Sequence, residues 1–171
     1  RFVEPLNWLI QGVTAVTTDG GNPYAVYTAH EPNDPCNSAL VVLDLDTWQV
    51  VRRIPLNGQH PTEIITVRDA PAIGPGPGVL VSMTGAEGCF GAEVNGFTFD
   101  GLLNAPIPSA QHRFIFPGAG TQSPRRMTVM PEHQLAAVVQ GDEYGHVGVM
   151  NLVTGDAVSL GQDQGLDTQL L

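Results

Sequence analysis

The sequence predicts an all-β repeat fold, and three observations carry that reading. Short apolar segments separated by turn-forming residues fill the 171-residue chain, and no stretch has a helical hydrophobic period. The hairpin-like turns beginning at Asp46, Asp100 and Thr154 lie 54 residues apart (100 minus 46, 154 minus 100). Strands centred on Val26, Val81 and Val138 recur at steps of 55 and 57 residues. A repeat of that length built from four short strands is the pattern of a propeller blade. The predicted fold is therefore a β-propeller segment of three four-stranded blades, at approximately 8–58, 61–118 and 123–161, with 162–171 a linker or the start of another blade. A β-sandwich with coincidental spacing is the competing fold.

The clearest unit is the first. Residues 7–10 and 13–18 read as strand pieces, and the chain then breaks at Asp19-Gly20-Gly21-Asn22-Pro23, a dense turn signal. Residues 24–29 form the next strand and 30–37, HEPNDPCN, a polar loop. Residues 39–45 are a Val/Leu run suited to a strand buried on both faces. Asp46-Thr47 turns the chain, because a short polar side chain bonds back to the backbone there. Residues 48–56 close the unit, with Pro55 suited to a sheet edge.

In the second unit, residues 63–67, 79–84 and 93–99 read as strands, with Gly96 a candidate bulge. Residues 68–78, RDAPAIGPGPG, cannot be helix. Asp100-Gly101 reads as a hairpin turn before a long outer region, 102–116. In the third, 126–130, 134–139, 146–152 and 157–160 are strands. Closed propellers have about four to eight blades. Three blades imply an incomplete ring, with the rest supplied by further sequence or by another chain. The N-terminal Arg1-Phe2-Val3-Glu4-Pro5 reads as the start of a trimmed product or fragment rather than a signal peptide.

Composition excludes some functions. Acidic residues number 17 against 7 basic ones, with no lysine and a net charge of -10, which opposes binding to nucleic-acid phosphates. No segment is apolar for the roughly 18 residues a transmembrane helix needs.

The string VVLDLDTWQVVRRIPLNGQHPTEI, residues 41–64, resembles the repeat of YVTN-type β-propellers. That repeat pairs an apolar strand ending in an Asp-x-x-Thr-like turn with a strand ending in Ile-Pro, a Gly loop and a Pro. The resemblance covers about one repeat. It implies a blade, and it allows a binding module, a lactone hydrolase or the propeller subunit of a periplasmic dehydrogenase.

Cys36 and Cys89 occupy the same loop in adjacent units, so a disulfide is expected, with two free thiols or a metal site as the alternatives. A bridge would place the chain in a periplasmic or extracellular compartment. Of five histidines, His30 and His60 map to the face where propellers commonly bind ligands, with Glu31, Asp34, Glu87, Asp142 and Glu143 in equivalent loops. Such a set can hold zinc, copper or iron, yet no His-x-His or His-x-x-x-His pair anchors one. The blander account leaves them as solvated loop residues. Arg125 and Arg126 sit at the channel end of an inner strand, where one could clamp an anion or bridge to Glu63 or Asp142. The ligand-binding candidates are therefore His30, His60, Arg126 and Asp142. No catalytic residue, metal ligand or cofactor is assigned. Gly-x-Ser-x-Gly is absent, and Gly74–Gly78 lacks the Lys-Ser/Thr of a phosphate loop. A carbohydrate surface on Trp8, Trp48 and Tyr144 is a weaker idea, since Trp48 reads as packing between blades.

The expected function is an extracytoplasmic binding or scaffold subunit whose partners are other protein chains or remaining blades. A propeller-enzyme fragment is the alternative.

Overall fold

The structure, a computed structural model, describes residues 8–18, 20–56, 58–84, 88–89, 93–116, 124–140 and 146–160. Among the described residues, twelve strands form three four-stranded antiparallel sheets, with strands consecutive in sequence hydrogen-bonded within each sheet. Blade 1 comprises β1 (Leu9–Thr17), β2 (Pro23–Glu31), β3 (Asp34–Asp44) and β4 (Gln49–Pro55). Blade 2 comprises β5 (His60–Val67), β6 (Gly78–Thr84), β7 (Glu93–Thr98) and β8 (His112–Ile115). Blade 3 comprises β9 (Pro124–Met130), β10 (Leu135–Gln140), β11 (Val147–Asn151) and β12 (Ala157–Leu160). The fold is a nearly all-β propeller segment. Among the described residues no helix is long and apolar enough to cross a membrane.

The period-2 alternation of each strand decides which blade it meets. Val26, Leu40, Val42 and Ile54 of blade 1 pack against Ile64, Val79, Val81, Met83 and Phe97 of blade 2. The opposite face of blade 2, with Val67, Leu80, Val94 and Phe114, packs against Met127, Ala136, Val138 and Met150 of blade 3. Blade 2 is thus sandwiched, and β6 and β7 are buried along their whole length. In β3 the stretch from Ser38 to Leu43 is also buried on both faces, as its continuous apolar run predicts. The blades are stacked inner strand to inner strand: β1 contacts β5 and β5 contacts β9. The hydroxyls of Thr14 and Thr66 lie 2.7 Å apart across the first of those contacts.

One side-chain cap recurs at the end of the third strand of each blade. Asp44 accepts from the backbone N–H of Asp46 at 2.9 Å and Thr47 at 2.8 Å. Asn151 does the same for Val153 at 2.9 Å and Thr154 at 3.1 Å. Thr98 accepts from Gly101 at 3.1 Å, but there the chain continues into α1 (Phe99–Asn104). The expected hairpin turn at Asp100-Gly101 is thus a short helix. Thr98 caps it, and Phe99 and Leu102, three residues apart on one face, bury into the core between blades 1 and 2. The outer strand is delayed to His112.

Other expectations are corrected. Within the described residues, the pieces expected at 7–10 and 13–18 are one strand, because β1 runs from Leu9 to Thr17 with a bulge between Ile10 and Gly12. The loop 30–37 is mostly strand, with β2 reaching Glu31 and β3 starting at Asp34. Gly96 is no bulge: it pairs in register with Leu80, and a Cβ there would come within 2.2 Å of Ile73 Cγ2. Its lack of a side chain makes room for the Ile73 loop. Trp48 does not pack between blades. It sits in the β3–β4 turn with φ 58° and is 63% exposed. Trp8 packs on blade 1 itself, against the cluster of Tyr27, Val41 and Leu43, with Arg53 over its ring at 4.0 Å.

Candidate functional site

All three inner strands carry an irregularity at the same place. The register shifts between Ile10 and Gly12 in β1, between Pro61 and Glu63 in β5, and between Pro124 and Arg126 in β9. Gln11, Thr62 and Arg125 are the extra residues. A bulge leaves such a residue outside the ladder and re-aims its side chain. Gln11 reaches the His30 ring at 2.7 Å, and Thr62 donates to the carbonyl of Pro124 in the next blade at 2.7 Å. One residue on, Glu63 accepts from the backbone N–H of Met127 in blade 3. The position equivalent to Glu63 in blade 1 is Gly12. A Cβ there would stand 3.2 Å from the Ile64 backbone nitrogen, so the first inner strand presses directly on the second.

His30 and His60 meet at this end. Their ring centroids are 4.9 Å apart in an edge-on arrangement. His30 is 5% exposed. Its Nδ1 donates to the carbonyl of Glu31 at 2.9 Å, which leaves Nε2 to accept from the Gln11 amide. With both ring nitrogens engaged, a metal would have to displace Gln11 to reach His30.

Arg126 stands apart from this pair. It alternates with the buried Met127, pairs with Val139 and is exposed on the opposite face of blade 3. Glu63, one of its expected partners, is bonded to the Met127 backbone. Asp142 lies outside the described residues, as do Glu87, Glu143 and Tyr144. Glu31 binds Asn37 at 2.8 Å and Asp34 accepts from the Cys36 N–H at 3.2 Å. Among the described residues no group of three or more His, Cys, Asp or Glu is placed to hold a metal ion.

Cys36 and Cys89 are bridged, with Cα atoms 5.2 Å apart. Cys36 lies near the start of β3, and Cys89 precedes β7, so the bond ties blade 1 to blade 2. A cluster not anticipated from sequence lies beside it. Glu93, 3% exposed, takes the Arg113 guanidinium through Nε at 3.0 Å and through Nη2. It also takes the Gln59 amide at 2.8 Å. Its hydrogen bonds and charge raise the Arg113 pKa above its already high ordinary value.

The repeated sheets, their radial stacking and the shared inner-strand bulges define a β-propeller segment. No family model matches the chain, and no curated protein matches it. Among solved structures it is similar to dihydro-heme d1 dehydrogenase NirN in complex with DHE, at TM-score 0.63 and 15% identity over 87% of this chain and 27% of that one. It is also similar to Kuenenia stuttgartiensis hydrazine synthase, at TM-score 0.59 and 12% identity over 89% of this chain and 37% of that one. Both contain β-propellers. The chain spans well under half the length of either.

Proposed function

We propose that this chain is an extracytoplasmic β-propeller binding and scaffold subunit that makes protein–protein contacts within a larger assembly. The observation that carries this reading is the exposed face of blade 3. There Val139, Val147 and Leu160 are cross-strand neighbours in one row, and Val149 and Val158 lie side by side in the next. Val139, Val147, Val158 and Leu160 are all at least one-third exposed. The same blade buries its other face on blade 2, so a further β leaflet, from this protein or another chain, is the surface that fits. The Cys36–Cys89 bond supports an oxidising, periplasmic or extracellular setting. The one-repeat YVTN resemblance agrees with the blade and adds no activity.

The test is size-exclusion chromatography with light scattering on the purified chain. Concentration-dependent association that Val147→Lys with Val158→Lys suppresses is the expected result. A monomeric, monodisperse and fully folded chain would remove the partner-dependent reading.

A second reading is a fragment of a propeller enzyme. It is favoured by the adjacency of His30 and His60 and by the fold likeness to a dehydrogenase and a synthase. His30, His60, Arg126 and Asp142 would then contribute to a ligand site. Metal analysis of the purified protein decides its metalloenzyme form, which stoichiometric metal supports and a metal-free preparation removes.

A further inference from the structure

The seam between blades 1 and 2 opens on its outer side into a cleft of about 440 Å³, within the usual size of ligand pockets. Ile54 and Leu56 form one wall, and Phe97 with Pro108 the other. Its polar end is built from Gln59, Glu93, Asn95 and Arg113.

The bonding order of that polar end is forced. An ionised Glu93 only accepts, so Gln59 must turn its amide nitrogen to it. The Gln59 oxygen is then the acceptor for Asn95 Nδ2, at 3.2 Å. Flipping Gln59 would set donor against donor at Asn95, and flipping Asn95 would set acceptor against acceptor at Gln59. The chain of bonds therefore ends on Asn95 Oδ1, a buried acceptor with no hydrogen-bond partner, on a side chain only 3% exposed. A buried acceptor left without a donor costs free energy and calls for one. At the other side, Glu93 engages Nε and Nη2 of Arg113, which fixes the guanidinium and, among the described residues, leaves Nη1 for another acceptor. The Arg113 side chain is 58% exposed. Asn95 and Arg113 are direct cross-strand partners in β7 and β8, which puts both side chains on one face of the blade.

We propose that this cleft is a binding site for an apolar α-amido carboxylate, such as the C-terminal residue of a peptide. The carboxylate meets Arg113, the neighbouring N–H meets Asn95 Oδ1 once the Asn95 side chain rotates to uncover that solvent-closed atom, and the side chain lies between Ile54, Leu56 and Phe97. The site needs only blades 1 and 2 and is independent of what covers blade 3.

Amide chemical-shift mapping on the full chain tests this with N-acetyl-leucine, N-acetyl-leucinamide and a pentapeptide ending in leucine as probes. The acid and the peptide shift amides around Asn95, Phe97 and Ser109, while the leucinamide, lacking the carboxylate, binds roughly tenfold more weakly or not at all. A peptide that binds more tightly than the free acid identifies a chain terminus as the source, and equal affinity identifies a small molecule. Arg113→Lys keeps a cation beside Glu93 but removes the planar fork, and it weakens the acid by roughly tenfold. Ser109→Trp, at an exposed position lining the cleft, leaves the Glu93 bonds intact and abolishes binding. If Arg113→Lys fails to fold, the Ser109→Trp result decides alone. No binding of the acid or the peptide at millimolar concentration, equal binding of acid and leucinamide, or binding unchanged in Ser109→Trp overturns the proposal.

Discussion

The carboxylate of Glu63, in the inner strand of blade 2, accepts the backbone N–H of Met127 in the inner strand of blade 3. Neither strand pairs with the other in a sheet, so this bond, with Thr62 to Pro124, fixes how the two blades stand side by side. Glu63→Ala leaves a backbone donor without its acceptor and is expected to destabilise the chain by about 1–3 kcal/mol. Glu63→Gln keeps an acceptor and should cost clearly less. Urea denaturation of both variants checks the ranking, and equal losses would assign the effect to packing instead.

The disulfide closes a loop across a sequence separation of 53 residues. Chain-entropy reasoning gives about 4 kcal/mol for a loop of that length. Cys36→Ser with Cys89→Ser, or reduction of the native chain, should therefore lower Tm substantially in a thermal melt. A Tm unchanged by reduction would show that the packing between blades 1 and 2 holds them without the bond.

Gly96→Ala drives a methyl into Ile73, at a cost of about 1–3 kcal/mol for overpacking. Ile73→Ala in the same chain should recover part of that loss. The double-mutant cycle reads the coupling directly, and strict additivity would place the strain elsewhere.

Asp44 gives a pH signature. The backbone N–H of Thr47, the largest influence, holds its carboxyl below the usual aspartate range. Because the folded pKa lies below the unfolded one, the carboxylate's contribution is present above the unfolded value and is lost as pH falls through the folded value. Carbon-detected NMR titration should find the Asp44 midpoint below that of an unperturbed aspartate. Asp44→Asn, still able to accept in the turn, should remove that part of the acid dependence.

The blade repeat was legible because its turns, at Asp46, Asp100 and Thr154, recur every 54 residues. Asp44, Thr98 and Asn151 each end a third strand, and each bonds forward to the backbone. The hairpin expected at Asp100 was not legible as a helix, since one turn of helix shows no periodicity and the decisive fact is burial of Phe99 and Leu102. Cys36 and Cys89 could be paired from their matching places in the repeat. The inner-strand bulges at Gln11, Thr62 and Arg125 left no such mark, because a bulge is set by cross-strand register rather than by residue type. Glu93 and Arg113 escaped notice for a related reason: α1 and the segment after it separate them in sequence, and only the β7–β8 pairing brings them together. The structure brings His30 and His60 together at one end, whereas Arg126 lies on the face of β9 opposite the buried Met127.

The sheets stack radially, inner strand against inner strand. Nuclear Overhauser contacts measured on the isotopically labelled chain test this most directly. Cross-peaks between Thr14 and Thr66, and between the Met127 amide and the Glu63 side chain, are the predicted result. Their absence, with contacts instead from these inner strands to the outer strands β8 or β12, would contradict it.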